Sequence, residues 1–444
     1  MSEDTVFALS SPVGGAIAIV RITGSGAYAA LMRVFRCKNA PEHRVMNYGH
    51  VIDPESGETI DSAMACFLKA PATYTGEDMA EIYIHGSRVI AKRTLSVLSR
   101  FLRPAEGGEF TKRAFMNGKL DLSQAEAVMD VISSVTEQGA RMAEEQLAGS
   151  IGNGIKDIED RLIDILSGVE AALDYPEELE EDTVSALGSE LAPIIDKLDY
   201  LIRGGNAARI FREGASVAIL GAPNAGKSSL FNALMGTERA IVTSIPGTTR
   251  DTLEETLDIC GAPVRITDTA GIREGADEAE RIGVERARKA GERADLILIA
   301  IDGTNPIDEE RRALIDAAKR GEYRNCLILF TKADKQGFIM DKSCAALSPI
   351  AVSSVTGEGI EELKERMAAL LLTKEAESAL VTNSRHIYAL AEAKAALETA
   401  DAAMGSDLAA ADIRTALYAL GQITGREVTS DVIERIFSRF CVGK

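Results

Sequence analysis

The stretch Gly221-Ala222-Pro223-Asn224-Ala225-Gly226-Lys227-Ser228-Ser229 places two glycines five positions apart, then a lysine and two hydroxyls. That spacing suits a loop whose backbone N–H groups, with the N-terminus of the next helix, surround phosphates. Lys227 then reaches the β and γ phosphates and Ser228 binds Mg²⁺. A strand of buried type, Ser216 to Leu220, precedes the loop and an amphipathic helix follows it, as such a loop requires.

The base is read from what comes next. Asp268-Thr269-Ala270-Gly271 follows a second apolar strand, where Asp268 and Gly271 can sense the metal and the γ phosphate. "LILIAIDG" reads as a third buried strand, and "CLILFTKADK" as a fourth that closes on Thr331-Lys332-Ala333-Asp334. The Asp334 carboxylate can accept both N–H donors of a guanine edge, a pair that adenine does not offer. A fifth strand, "PIAVSSVTGEGI", puts Ser353 and Ser354 behind the guanine ring. Each marker is weak alone; in this order, at the C-terminal edges of strands in a doubly wound fold, they specify a GTPase.

"TSIPGTTRD" supplies a switch segment through Thr243, Ser244, Ile245, Pro246, Gly247, Thr248 and Thr249, with Thr249 placed as the second Mg²⁺ ligand. Two positions depart from the common pattern. Thr331 stands where many GTPases have Asn; it keeps a hydroxyl and loses an amide, which predicts a somewhat lower guanine affinity. Ile272 follows Gly271 where Ras-like enzymes place the glutamine that orients the attacking water, so another group must hold that water. Arg250 reads equally as a cis arginine finger or as a structural partner of Asp251.

Around this module the apolar pattern changes period. Residues 1–117 alternate short β-like runs ("AIAIVRI", "SAMACFLKA", "AEIYIHG") with one helical stretch, Ser87 to Phe101, which predicts a small α+β domain. From 118 to 209 the stripes are helical: Leu122, Ala125, Val128, Met129, Ile132 and Val135, then Ile155, Ile158, Leu162, Ile165, Leu166 and Val169. Pro176 and the acidic run after it are expected to interrupt them before a further helix from about 184 to 202. Helical stripes return in 375–444, with Ile413, Leu417 and Leu420, then Val432, Ile433, Ile436 and Phe437. The expected architecture is multidomain α/β: a small α+β N-terminal domain, then a helical domain interrupted by an inserted Ras-like P-loop GTPase domain, 210–374.

Composition narrows the function classes. At 444 residues the chain is too long for one core. No run of 18 apolar residues occurs, and "MSEDTVFALSS" lacks the regions of a signal peptide, so a soluble cytoplasmic protein with no membrane partner is expected. The six cysteines form no CxxC pair and read as free thiols, mostly buried. A net charge of −19 argues against an extensive nucleic-acid surface. Residues 87–104 nevertheless carry five basic residues and no acid, which fits either a solvated helix face or a role near an anionic ligand or RNA. The terminal Cys441-Val442-Gly443-Lys444 has the outline of a prenylation box, but Gly443 and the charged Lys444 break its rule.

Several stretches together, "TGEDMAEIYIHG", "GEFTKRAFMNGKLDLSQAEAV", "GAPNAGKSSLFNAL", "IPGTTRD", "DTAGIRE" and the final "FCVGK", resemble the TrmE/MnmE tRNA-modification GTPases over essentially the whole length. The resemblance implies a homodimer with an N-terminal tetrahydrofolate-binding domain. It also implies an FAD-dependent MnmG-type partner, joined in a heterotetramer or larger complex. Together they install carboxymethylaminomethyl or aminomethyl groups at C5 of the wobble uridine (U34) of certain tRNAs, with 5-formyl- or 5,10-methylene-tetrahydrofolate as the one-carbon source.

Carried over by motif, Asn224 would hold K⁺ with Thr243, Ile245 and Thr248. Such an ion can supply the positive charge that other GTPases take from an arginine finger. Glu280 would position water in place of the missing glutamine. Arg21, Glu81, Lys119 and Lys444 would bind folate, with Cys441 beside the one-carbon unit either as a nucleophile or as a small packing group. Lys444 can take part only if the last helix, Asp431 to Phe440, docks the tail onto a folate domain, its own or the partner subunit's. A ribosome-assembly GTPase that uses GTP as a timer, or a scaffold whose N-terminal domain merely dimerises, would need neither folate nor an FAD partner.

Overall fold

The computed structural model describes residues 4–237, 256–267, 294–323, 325–377, 379–401 and 405–443. They form two compact units. One comprises residues up to 129, 147–155 and 421–444; the other comprises 130–146 and 156–420.

The first unit is built on a seven-stranded sheet: β1 (Val6–Leu9), β2 (Ile17–Thr23), β3 (Phe35–Cys37), β4 (Met46–Ile52), β5 (Thr59–Leu68), β6 (Met79–His85) and β7 (Arg103–Pro104), in the order β3-β4-β5-β6-β2-β1-β7. Because side chains alternate along a strand, Val20, Ile22, Ile82 and Ile84 face one way. They bury themselves against α1 (Ala27–Val34) and α2 (Arg88–Leu98). On the other face Val6, Ala8, Met79, Ala105 and Phe110 make a smaller core, Phe110 coming from α3 (Glu109–Met116). The N-terminal region therefore has three helices, not one. The expected helix Ser87 to Phe101 is shortened to α2, with Ser99 as its C-cap. α1 and α3 are eight residues each, too short for their apolar repeats to stand out from strand alternation.

α3 is anchored by charge. Arg113, almost fully buried, donates to Asp4, Glu77 and Glu109, and Arg103 donates to Asp4 and Glu109. Burial opposes charge on Glu109, yet hydrogen bonds from Arg103 and Arg113 outweigh it and hold the carboxyl below its ordinary range.

The chain's tail returns to this same unit. Phe437 and Phe440 pack with Leu122, Ala125 and Phe115. Val442 forms an antiparallel bridge with Gly107, the Gly108 N–H donates to the Cys441 carbonyl, and Ser10 Oγ donates to the Gly443 carbonyl at 2.9 Å. The approach requires glycine: a Cβ on Gly107 would meet the Phe440 carbonyl oxygen at 2.7 Å, and one on Gly443 the Leu9 carbonyl oxygen at 2.6 Å. The last helix runs Ser430–Phe437, three residues shorter at its end than expected, which frees the tail to extend along β1.

The second unit holds a six-stranded sheet: β8 (Ala215–Leu220), β9 (Thr256–Ile259), β10 (Ala262–Thr267), β11 (Leu296–Asp302), β12 (Cys326–Thr331) and β13 (Ile350–Val352). The order is β13-β12-β11-β8-β10-β9, parallel except for β9. Leading into β8 is a single 38-residue helix, Pro176–Glu213. The preceding helix, Ser150–Asp174, ends just before Pro176, so the break expected there is present, but the acidic run lies inside the next helix, which Pro176 opens. At a helix's first turn its missing N–H costs nothing, since no carbonyl lies behind it to receive the bond. Gly204 and Gly205 let the returning chain lie close: a Cβ on Gly205 would stand 2.9 Å from Ile387 in helix Ser384–Asp401. Of the cysteines only Cys66 and Cys344 are buried; Cys37, Cys326 and Cys441 are half-buried and Cys260 is exposed, so the thiols are not mostly buried as expected. All six are free.

Phe437→Ala would remove a 2 % exposed ring from the cluster that holds the tail, a loss of about 3 to 5 kcal/mol locally. The expected result is faster amide hydrogen exchange across 105–110, where Gly108 donates to Cys441, with exchange in β8 unchanged. Unchanged protection at 105–110 would show that the tail is held without the aromatic cluster.

Candidate functional site

The loop after β8 stands at the switch point of the second sheet, with β10 on one side of β8 and β11 on the other, the crevice where open α/β sheets bind ligands. Gly221 has φ +155 and approaches β11 so closely that a Cβ would lie 2.3 Å from the Ala300 carbonyl oxygen. Asn224 and Gly226 adopt left-handed backbone at φ 61 and 85, a conformation open to Gly and tolerated by Asn. The helix Lys227–Thr237 begins immediately, so its unpaired N–H groups open into the cup. Lys227 Nζ donates to the Gly221 carbonyl at 2.8 Å and to that of Ala222 at 3.0 Å, which keeps the ammonium inside the loop. Ala225 is buried beneath it, while Asn224, Ser228 and Ser229 are exposed at its mouth.

The base-reading segment is wired to this loop. Thr331, 2 % exposed at the end of β12, donates its hydroxyl to the Ala225 carbonyl at 2.8 Å, with the Ile301 carbonyl at 3.2 Å. The hydroxyl expected merely to survive the loss of Asn is thus the tie between the guanine segment and the phosphate loop. Lys332, in left-handed backbone at φ 63, donates to Asp302 at 2.6 Å. Burial works against the Asp302 carboxylate, but hydrogen bonds from Lys332 and Thr304 outweigh it and hold the group well below the usual carboxylate range. Asp302 therefore stays ionised and keeps Lys332 lying across the sheet edge. Asp334 accepts from Ser353 Oγ at 2.6 Å, so Ser353 fixes the carboxylate's rotation while one oxygen stays open. Ser353 is fully buried and its hydroxyl also accepts from the backbone N–H groups of Val355 and Thr356; Ser354 lies half-buried beside it.

Thr243, Ser244, Ile245, Pro246, Gly247, Thr248 and Thr249, then Asp268, Thr269, Ala270, Gly271, Glu280 and Lys444, lie outside the described residues.

In the first unit, Arg21 and Glu81 are directly opposed across β2 and β6, and Arg21 Nε donates to Glu81 Oε1 at 2.8 Å. The second oxygen is taken by Tyr83, whose hydroxyl donates to Glu81 Oε2. Burial, with that hydrogen bond and the carboxylate's charge, pushes the Tyr83 phenol up to about 12, so it remains a donor at neutral pH. Tyr83 was missed in the sequence, although period two in "AEIYIH" puts it on the face of Glu81. Lys119 donates to the Pro71 carbonyl at 3.0 Å, its stem lying against Gly76.

Two family models match. The description "GTP-binding protein TrmE N-terminus" covers residues 5–119, and "MnmE helical domain" covers 122–441. A tRNA modification GTPase MnmE from Geobacillus kaustophilus is 42% identical over 462 residues, spanning 99% of each chain. One from Acetivibrio thermocellus is 41% identical over 459 residues, spanning 100% of this chain and 99% of the relative. The chain belongs to the MnmE family of tRNA modification GTPases. It is accordingly a GTP hydrolase, with the P-loop built as described and the N-terminal and helical family segments around it. Among the described residues no helix is long and apolar enough to cross a membrane.

Thr331→Val keeps the shape but leaves the Ala225 carbonyl without its donor, a cost of about 1 to 3 kcal/mol. The expected outcome, read by fluorescent GDP titration, is a Kd raised about tenfold. An unchanged Kd would mean that the loop holds its shape without the tie.

Proposed function

We propose that this chain supplies the GTP-driven half of a wobble-uridine modification, working with an FAD-dependent MnmG-type partner and a tetrahydrofolate one-carbon donor on the C5 position of U34. The observation that supports this best is the end-to-end likeness to tRNA modification GTPases, 38% identity to that of Natranaerobius thermophilus over 100% of both chains. A timer GTPase would have no need for the N-terminal family segment.

The residues fit the groups this reading needs. Ser228 opens the helix at the loop's mouth, where with Thr249 it would hold Mg²⁺, which neutralises charge on the β and γ phosphates. Asn224, exposed and turned outward by its left-handed backbone, would hold K⁺ with Thr243, Ile245 and Thr248. Lys227 binds the phosphates, and Glu280 orients the attacking water. In the first unit Glu81 keeps lone pairs for the paired N–H donors of a pterin even with Arg21 and Tyr83 bound. Arg21, Lys119 and Lys444 would provide cations for the folate's carboxylates, with Cys441, whose carbonyl accepts from the Gly108 N–H, beside the one-carbon unit. A second copy of the chain would find apolar area on the open part of this sheet face, where Ile17, Met46, Tyr48 and Met64 are exposed.

The function is tested by mass spectrometry of wobble uridines from cells lacking the protein. Loss of carboxymethylaminomethyl and aminomethyl groups is expected, and their full retention would reject the reading. The ion is tested separately: GTP turnover should rise strongly when K⁺ replaces Na⁺, and Asn224→Ala should erase the difference. Equal rates in both salts would remove K⁺ from the site.

A further inference from the structure

The chain's charge is divided unevenly. Residues 4–119 carry 14 Lys and Arg against 11 Asp and Glu, a net +3, whereas residues 120–444 carry 35 against 56, a net −21. Within the positive part, five of the fourteen cations are held in ion pairs. Arg21 is bound to Glu81, Arg93 to Glu58, Arg100 to Asp53 and Glu55, and Arg103 and Arg113 to the buried network around Glu109. Of the others, Arg33, Arg88 and Lys92 belong to the two helices that cover one face of the sheet. α2 buries Ala91, Thr94, Val97 and Leu98 against the sheet and turns Arg88 and Lys92 outward, four positions apart, with no acid anywhere on the helix. Like charges at that spacing repel, a small cost that neighbouring acids would normally relieve.

α1 shares the same core, and at its end Arg33 lies with its guanidinium 4.4 Å from the centre of the Phe101 ring, just beyond α2. Arg36 and Lys38 follow, exposed on and just after the edge strand β3. Arg33, Arg88 and Lys92 thus lie on the helical side of the sheet, with Lys38 just beyond the edge strand, whereas Arg36 alternates with the core residue Phe35 and faces the other way. Arg21 and Glu81 point to the opposite side, because they alternate with Val20, Ile22 and Ile82. The two sets cannot serve the same ligand.

We propose that this α1–α2 face binds the phosphate backbone of the tRNA on which the enzyme acts. The inference rests on the tRNA-modification reading but adds to it a surface on this chain. A polyanion relieves the Arg88–Lys92 repulsion, and the acids nearby are engaged elsewhere, Glu58 by Arg93 and Asp53 and Glu55 by Arg100, which leaves Arg88 and Lys92 for phosphate contacts. The negative remainder of the chain would repel the same RNA and so confine it to this face. Backbone contacts carry no sequence information, so the face sets affinity and orientation and leaves selection of the uridine elsewhere.

The test measures binding of the full chain to fluorescently labelled unmodified tRNA by anisotropy across a KCl series. Arg88→Glu with Lys92→Glu should raise Kd tenfold or more, and should flatten the slope of log K against log salt by roughly 1.5 as two phosphate contacts are lost. Lys156→Glu with Lys197→Glu changes net charge equally on exposed positions of the other unit and should shift Kd by less than about twofold. GTP hydrolysis without tRNA should be the same in all three proteins, which also verifies folding. Equal losses in both double variants would mean that only net charge matters, and would overturn the inference. So would unchanged tRNA affinity in the α2 variant, or a loss confined to binding of phosphatidylserine vesicles. A wild-type chain without tRNA affinity would overturn it too, while normal wobble-uridine content in cells carrying that chain would leave the modification reading intact.

Discussion

A loop that binds phosphate with its own backbone cannot be held in shape by side chains that point into it. Everything that keeps the P-loop open must therefore reach it from outside, and the structure shows where from. Ala300 of β11 lies against Gly221 with no room for a Cβ, and Thr331 of β12 ties down the Ala225 carbonyl. Lys332 and Asp302 lock the ends of β12 and β11 to each other. Two strands, β11 and β12, converge on one loop of nine residues. Their register is what the apolar runs specify: a slip of one residue in β12 would turn the Thr331 hydroxyl away and put Phe330 in its place.

Much of this was legible in the sequence because it rests on short-range chemistry. The glycine spacing, the buried strands and the Thr331-to-Asp334 segment are each contained within a dozen residues. What the sequence hid is pairing across distance. That the hydroxyl of Thr331 would bond to the carbonyl of Ala225, or Ser353 to the Asp334 carboxylate, depends on which strands become neighbours. The same holds for Tyr83: its alternation with Glu81 was visible, but its partnership was not, since a tyrosine on a half-buried strand face needs no special reason. The break at Pro176 was legible, but the acidic run after it was misread as part of the break, because proline at a helix's first position opens a helix as readily as it ends one.

The N-terminal unit solves a different problem. Its sheet is covered on one face by α1 and α2 and only partly on the other, so the two faces are free to meet different chemistry. The charged network of Asp4, Glu77, Arg103, Glu109 and Arg113 fixes α3 and the loop before β6 without using the open face. Buried ion pairs of this kind add little net stability but tolerate few alternative arrangements. Rigidity at that point leaves Arg21, Glu81 and Tyr83 to be positioned by the sheet alone.

The docked tail has a consequence for how the molecule is made. Ser10 and Gly443, joined by a hydrogen bond, stand 433 positions apart in the chain. A ribosome adding roughly 5 to 20 residues per second finishes β1, β2 and α3 long before Phe437 and Phe440 exist. For a substantial fraction of a minute, Phe115 and Leu122 have no aromatic cover and Gly107 has no strand to pair with. The N-terminal fold is thus the first to be started and the last to be sealed, and during synthesis its unfinished edge leaves apolar side chains uncovered.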